Sequence, residues 1–448
     1  MDRVTTADAR VPAAAARRVR WRIAVRSAQM VRASVAATRV FAREGVRLRR
    51  EAPAEAVTRA AGRALVALCT ALGATFIKVG QIASTRADLL PRPLVDELAL
   101  LRDRVPPFPF AAVRATVEAE LGRPLDAIYA AFDPVPVAAA SVAQVHRAVM
   151  RGTGEVVAVK VRRPDILDKV KLDRSILLFV GRALERCVPS FRLMSLEGAL
   201  RAFCDAVEEQ IHLASEADHN RRFRDNFADD PDIHFPRLVP DACSDAVLTM
   251  EFVNGVREED LEASGVDVHR VVDAGMRCVC RMIFLHGFVH ADLHPGNVRF
   301  LAPGHVVLLD LGLVGRLDDV DRLAFAGLLY ALSTGDGASV ARIFWESAPH
   351  QQVPDYPAYE REIVAFVDSI RARGLANLQV TLEIGRIFDI LRRHRIQARS
   401  HMTMVNLALM TAEGLGKRLA PGLSLTDAAL PYLSEALAAA PDSPQPAA

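Results

Sequence analysis

Lysine is almost missing from this chain. Of 56 Lys and Arg side chains, five are Lys (Lys78, Lys160, Lys169, Lys171 and Lys417) and the rest are Arg. A Lys kept inside a motif therefore marks a place that needs a compact ammonium, which a planar guanidinium does not replace at a phosphate site. Aromatic residues are also few, at 6%. No aromatic platform accompanies the basic residues, which argues against nucleic acid as a partner. Six cysteines (Cys69, Cys187, Cys204, Cys243, Cys278, Cys280) include no C-x-x-C pair. Neither a zinc site nor a disulfide framework is indicated, and a reducing compartment fits. No apolar run reaches the ~18 residues of a membrane-spanning helix, so none is expected. A secretory signal is not expected either, because no unbroken apolar core follows the basic start.

What is present bounds the class. The 448 residues are 51% hydrophobic, enough for a sizeable core in one large or two to three ordinary domains. Net charge is only +2, yet residues 1–50 hold 13 Arg against three acids, a surplus of +10 that leaves −8 on the remaining 398 residues. Around Trp21 and Ile23, then Val31, Val35, Val40 and Phe41, the first 50 residues read as one or two basic helices. Four readings stand for this segment: a solvated helix packed on the body, attachment to an anionic membrane surface, an Arg-rich transit peptide, and, less favoured, nucleic-acid binding.

The densest chemistry lies at His286–Asn297, followed by Val306–Gly312. In H-A-D-L-H-P-G-N, Asp292 and Asn297 stand five residues apart, the spacing of a kinase catalytic loop. An acid at Asp292 would orient or deprotonate a nucleophile. An amide oxygen at Asn297 would hold Mg²⁺ with Asp310, at the end of the apolar run Val306–Leu309. A polar surface turn would account for Pro295-Gly296-Asn297 but not for the buried strand that ends in a carboxylate.

Upstream, Val142–Val149 and Val156–Val161 alternate like two strands joined by the Arg151–Gly154 turn. Lys160 in V-A-V-K-V is placed to grip nucleotide phosphates. The preceding loop, Ala138, Ala139, Ala140 and Ser141, lacks the glycines that let backbone amides approach a phosphate. Residues 54–104 read as helical, with Lys78 and Gln81 three apart on one face. Pro106–Pro109 is a break, and short helices are expected at 109–121 and 124–131. Residues 164–228 read as helical, with Glu216 available to pair with Lys160. Strands are expected at 236–240 and 246–252, and Asn254-Gly255 reads as a hinge. A helix at 265–287 feeds the catalytic loop, and further helices are expected near 318–335, 359–373, 376–394 and 401–419. The Pro-rich end from Pro441 reads as disordered.

Together these motifs resemble the UbiB (AarF-type) family of atypical kinase-like proteins. The resemblance rests on Lys78-Val79-Gly80-Gln81, on Ala138–Ser141 running into Gln144-Val145-His146, on Val157–Lys160, and on His290–Asn297 with Asp310-Leu311-Gly312. It covers roughly residues 55–420. It implies an α+β, bilobal protein-kinase-like fold with a helix-rich second lobe. The segments would be a basic start (1–50), a helical extension carrying K-x-G-Q (54–133), an N-lobe with a helical insertion (134–254), a C-lobe (255–420) and a tail (421–448).

By resemblance the ligands are ATP or ADP with Mg²⁺. Asp292 is the catalytic acid, Lys160 binds phosphate with Glu216 as its ion-pair partner, and Asn297 and Asp310 hold the metal. Ala138, Ala139, Ala140 and Ser141 form the nucleotide loop, and Lys78 and Gln81 are regulatory. The implied activity is an atypical kinase-like ATPase supporting ubiquinone or other isoprenoid-lipid metabolism at the inner face of a membrane. Its partners would be anionic lipid and a quinone- or lipid-biosynthesis protein, with a homodimer left open. A small-molecule phosphotransferase and a non-catalytic pseudokinase scaffold are the alternatives. The sequence departs from the family where an E-x-D motif is expected: Gln210-Ile211-His212 stands there, with Glu209 one residue off register. The two-helix membrane tail of some members has no counterpart either, so attachment would be peripheral.

Overall fold

The computed structural model describes residues 13–51, 55–84, 90–101, 106–187, 196–348, 350–351, 355–373 and 380–397, then 405, 408–409, 414, 416–420 and 425–438. The basic start is one helix, α1 (Ala13–Glu51). From Arg26 onward its inner face, with Met30, Ala33, Ala37 and Leu48, packs toward α2 (Ala56–Leu72) and its neighbours. Ion pairs fix the register. Arg26 forks onto the buried Asp173, Nε to Oδ1 at 2.7 Å and Nη2 to Oδ2 at 2.8 Å. Arg63 of α2 reaches Glu44 at 2.6 Å and Glu97 at 3.2 Å.

Gly73, at φ +88°, breaks the expected 54–104 helix into α2 and α3 (Ala74–Ser84), with α4 (Arg92–Leu98) after it. Beyond α5 (Phe110–Leu121), the helix expected at 124–131 is corrected. Only one turn, α6 (Leu125–Ile128), is helical, and β1 (Tyr129–Phe132) is a strand. Antiparallel pairing with residues 148–150 and a 2.8 Å hydrogen bond between the Tyr129 and Thr249 hydroxyls hold it extended.

The first lobe is built on an antiparallel sheet of five strands. β2 (Ala138–Ala139) pairs with β3 (Ala143–Met150), β3 with β4 (Val156–Arg162), and β4 with β6 (Val247–Glu251). Strand alternation decides where Lys160 points. Val157, Val159 and Val161 face Val113 and Val117 of α5. Ala158 and Lys160 face the other way, toward the helix that carries Glu216.

The expected helical stretch 164–228 is three helices, α7 (Ile166–Cys187), α8 (Leu196–Glu209) and α9 (Leu213–Asn226). The strand expected at 236–240 is corrected too. Leu238 makes a single bridge to Met250, and Pro240–Ala242 turns into a 3₁₀ helix, because Pro236 and Pro240 donate no backbone hydrogen bond. Instead β5 (Ile233–His234) pairs in parallel with β9 (His305–Leu308) of the second lobe.

The second lobe holds the largest core. Helix α10 (Val268–Cys280) continues through a wide turn at Arg281–Leu285 into β7 (Phe288–His290). The strands β8 (Val298–Leu301), β9 (His305–Leu308) and β10 (Val314–Arg316) frame the two motif loops. At the connector, a Cβ on Gly255 would sit 2.7 Å from that of Arg299, so only glycine lets the chain pass this close to β8. Helices α11 (Asp319–Thr334) and α12 (Gly337–Ser347) are separated by Gly335 at φ +76°.

Helices α13 (Tyr356–Arg373) and α14 (Val380–Arg393) follow. Most of the helix expected at 401–419 lies outside the described residues. The tail reading of 421–448 is corrected in part: α15 (Leu425–Ala438) buries Ala429, Leu433 and Ala436, spaced four and three apart, in the lobe's core. The expected disordered end falls on 439–448, outside the described residues. No described helix is long and apolar enough to cross a membrane.

Candidate active site

Lys160 lies in the middle of β4, with 13% of its side chain exposed. Its Nζ donates to both carboxylate oxygens of Glu216, at 2.8 and 2.7 Å, and lies 3.3 Å from Asp310 Oδ1. Burial works against a charged lysine, but Asp310 and Glu216 outweigh it and push the pKa of Lys160 up. Asp310 is the counterpart. Surrounding protein raises its pKa, yet the Lys160 and Lys78 ammoniums and the Gly312 amide, 3.1 Å away, hold its carboxyl well below the usual range. Glu216 is 4% exposed. Burial and the nearby Asp310 push it up, against the pull of Lys160.

One face of α9 organises this cluster. Glu216, His219, Asn220 and Phe223 follow helical spacing and are all buried. His219 Nδ1 donates to the Leu311 carbonyl at 2.9 Å, and Asn220 Nδ2 donates to the Pro236 carbonyl at 3.0 Å. Phe223 stacks on Phe235 and meets Phe288, with ring centroids 5.1 and 4.7 Å apart. The helix thus fixes Glu216 on one side and the D-L-G segment on the other. At Gly312, a Cβ would lie 3.2 Å from Asp310 Oδ1 and 3.6 Å from Glu216 Oε2, so the glycine leaves both carboxylates their space.

The loop from His290 to Asn297 is braced by its own backbone. Asp292 N donates to Nδ1 of the fully buried His290 at 3.1 Å. Burial pushes the pKa of His290 down and keeps the imidazole neutral. Asn297 Nδ2 donates to the Asp292 carbonyl at 3.1 Å, and Leu309 N donates to the Asn297 carbonyl at 2.9 Å. The second bond ties the Asn297 loop to the segment carrying Asp310. With its amide nitrogen engaged, Asn297 offers its oxygen toward a cation. One amide oxygen and the half-exposed Asp310 carboxylate form a hard, incomplete donor set. That set fits Mg²⁺, which takes one or two carboxylates and completes its shell with phosphate and water. Among the described residues no cluster of three or more His, Cys, Asp or Glu could hold a metal without such help.

The chain is also similar to known proteins. The profile of the ABC1 atypical kinase-like domain matches residues 100–344, and that of the UbiB helical domain matches 363–424. The chain belongs to the UbiB family of ABC1 atypical kinase-like proteins. It is 33% identical over 373 residues to the probable protein kinase UbiB of Tolumonas auensis, a match covering 81% of this chain and 68% of that one. Against the probable protein kinase UbiB of Aeromonas hydrophila it is also 33% identical, over 375 residues, with the same coverage. The Mycobacterium tuberculosis Rv3197–erythromycin complex aligns with a TM-score of 0.51 at 20% identity, covering 77% of this chain and 92% of that one. That likeness shows the fold: bilobal, α+β and protein-kinase-like, as the sequence led us to expect.

The UbiB-family loop before β3 is a hairpin rather than an open cradle. Ala138 and Ala139 pair with Val145 and Gln144. Ala140 N donates to the Ala143 carbonyl at 2.8 Å, and the Ala140 carbonyl accepts from Arg163 Nε at 3.0 Å. The amide at Ala140 is therefore engaged before its methyl is considered. Ser141 is fully buried at the turn.

The K-x-G-Q residues part company on α3. Lys78 acts electrostatically on Asp310, whereas Gln81 Nε2 donates to the Leu101 carbonyl at 3.3 Å. Between them, a Cβ on Gly80 would lie 2.1 Å from Leu101 Cδ1 and 3.3 Å from Cys69 Sγ. The glycine is what allows α3 to seat this closely.

The missing E-x-D motif is accounted for by other contacts. Ile211 is core, and His212 Nδ1 lies 2.9 Å from Asp245, which also binds Arg162. Glu209 lies 3.8 Å from Arg316 and 3.9 Å from His219. His219 itself was not singled out in the sequence. The available signal was its spacing, three residues after Glu216 on a helix face that also carries Asn220 and Phe223.

Proposed function

We propose that the chain binds Mg·ATP or Mg·ADP and works as an atypical kinase-like ATPase at an anionic membrane surface, in ubiquinone or other isoprenoid-lipid metabolism. The observation that carries this reading is Lys160, held between Glu216 at 2.7 Å and Asp310 at 3.3 Å. Glu216 orients the ammonium, which would bind the α- and β-phosphates. Asn297 and Asp310 would hold Mg²⁺, which supplies charge neutralisation at the phosphates. Asp292, braced by His290 and Asn297, would orient or deprotonate the nucleophile. This complete set argues against a non-catalytic scaffold. Helix α3, with Lys78 acting on Asp310, supports an acceptor smaller than a protein hydroxyl on its own chain, such as water or a lipid-linked group.

The membrane part of the reading rests on the outer face of α1. Trp21, Val25, Arg32, Val35, Arg39, Val46 and Arg50 fall on one side at helical spacing, and all are exposed. Trp21 is 69% and Val46 63% exposed. An apolar stripe interleaved with Arg suits the boundary between acyl chains and anionic head groups.

Hydrolysis of radiolabelled ATP, with and without anionic liposomes, tests the proposal. Asp292→Asn should spare nucleotide binding and lower turnover by about 10²–10⁴; unchanged turnover would mean the catalytic loop has been misread. Serine at Trp21, Val35, Val46, Arg32 and Arg39 should abolish salt-sensitive liposome co-sedimentation. Removing the whole helix is a poorer test, because its inner face belongs to the core. Undiminished co-sedimentation of the serine variant would rule out the α1 surface.

A further inference from the structure

We propose that Arg162, Asp245 and His212 are positioning residues for the nucleotide site, forming a second tie that holds α9 where Glu216 reaches Lys160. Lys160 and Arg162 are two apart on β4, so both side chains leave the same face of the sheet. His212, at the N-cap of α9, stands one helical turn before Glu216. Strand and helix thus meet at two levels. At one, Lys160 bonds Glu216 directly. At the other, Asp245 joins the two elements. Its Oδ2 accepts from Arg162 Nη1 at 2.5 Å, and His212 Nδ1 donates to the same carboxylate at 2.9 Å. Its backbone carbonyl accepts from Arg162 Nη1 at 2.9 Å and from the Leu213 amide, the first of α9, at 3.0 Å.

A buried guanidinium needs a counter-charge wherever it sits, and Arg162 is 8% exposed. That need alone does not bring the start of a helix to the acid. Here the His212 side chain makes no cap for its own helix. Its ring turns to Asp245, and the helix amide that follows takes a carbonyl from outside the helix. The acid is itself held. Ser244 N donates to the Val247 carbonyl at 2.7 Å, and Ser244 Oγ accepts from the Ala246 and Val247 amides at 3.1 Å, which fixes Asp245 on a turn leading into β6. Burial pushes the pKa of Asp245 up, but Arg162 and His212 outweigh it and keep the carboxyl below its ordinary range.

The mechanical consequence follows from the spacing. Bonded to the sheet at Glu216 alone, α9 would be free to pivot about that pair. Bonded again one turn earlier, it does not swing Glu216 away from Lys160 without also breaking the ties at Asp245. The Lys160–Glu216 pair is therefore made in the ligand-free protein, ready for phosphate. The tie stands on geometry; its effect on nucleotide binding rests on the function proposed above.

Hydrogen–deuterium exchange of the full chain without nucleotide tests the tie. Asp245→Ala should speed exchange in the first turns of α9, through Glu216, by about tenfold, within the range for residues that share one network. The second lobe should exchange as in the wild type. His212→Ala, which leaves the Arg162–Asp245 pair in place, should have a smaller effect at the same amides, and it keeps the proposal testable should Asp245→Ala fail to fold. Binding of a fluorescent ADP analogue with Mg²⁺ reads the consequence. Asp245→Ala should weaken it about tenfold in the wild-type background, but less than about twofold when Glu216→Ala is already present, because α9 then has no carboxylate to deliver. The same cycle with His212→Ala should show the same pattern at smaller size. A residue serving stability alone would lower affinity equally in both backgrounds. Unchanged exchange of α9, faster exchange spread evenly over both lobes, or equal losses of affinity with and without Glu216 would overturn the positioning role. If exchange changes as expected but neither the wild type nor any variant binds the analogue with Mg²⁺, it is the nucleotide reading that fails.

Discussion

Replacing Lys160 by methionine would leave Glu216 and Asp310 facing one another across the space that the ammonium occupied. The two pairs are 2.7 and 3.3 Å long. At an effective dielectric of about 20, each close pair corresponds to roughly 5–6 kcal/mol of attraction, much of it offset by the desolvation of the charges. Lys160 and Glu216 are only 13% and 5% exposed, so little discount for solvent screening applies to that pair, whereas Asp310 is 45% exposed and its pair with Lys160 is screened and contributes less. Removing one partner of such a pair typically costs about 3–5 kcal/mol, because a buried charge is left uncompensated. Lys160→Met is therefore expected to lose stability in that range.

Glu216→Gln should lose less, since Lys160 keeps Asp310. The double variant removes the stranded carboxylate. It should be more stable than the sum of the single losses predicts, with a coupling of about 1–3 kcal/mol. Urea denaturation of all four proteins measures this cycle, and binding of a fluorescent ADP analogue with Mg²⁺ follows the site in parallel. Strictly additive losses would refute the idea that these three charges act as one unit. Lys160→Arg should not restore nucleotide binding, because a fork does not reproduce a point charge at this distance from two carboxylates.

Two other predictions concern the frame of the site. Gly287 stands at φ +56°, and its Cβ would lie 2.6 Å from the Leu317 carbonyl oxygen. Gly287→Ala should lose about 1–3 kcal/mol from backbone strain alone, and more from the clash; a wild-type urea midpoint would contradict this. His146, His219 and His290 are buried, and burial pushes the pKa of each down. The unfolded chain therefore binds protons that the folded chain does not. Stability should be fully present above the unfolded value of about 6.5 and fall as pH drops below it, by up to about 1.4 kcal/mol per pH unit for each such histidine. Urea midpoints between pH 7.5 and 5.5 test the sign, and a midpoint that rises on acidification would reverse it.

The sequence alone determined the local features, because their signals are short-range. The 2-residue period around Lys160 marks a buried strand, and the five-residue spacing of Asp292 and Asn297 marks the loop. The apolar run before Asp310 marks the strand end, and the scarcity of lysine marks Lys78 and Lys160 as particular. Where local signals were ambiguous, packing decided. Tyr129–Phe132 continues a helical pattern yet is a strand, because β3 offers an edge and Thr249 a hydroxyl. Residues 236–240 look extended yet form no strand, because their prolines remove donors. Leu425–Ala438 carries an internal proline, Pro431, yet is a helix, because it buries one face against the second lobe.

Partners were decided only by the tertiary structure. Glu216 was legible as a candidate for Lys160, but His219, which holds the Leu311 carbonyl, was not, and the gap of 92 residues between them is closed only when α9 docks. The same holds for Lys78. Its rarity shows that an ammonium is wanted there; that the charge acts on Asp310 follows only from how α3 is seated.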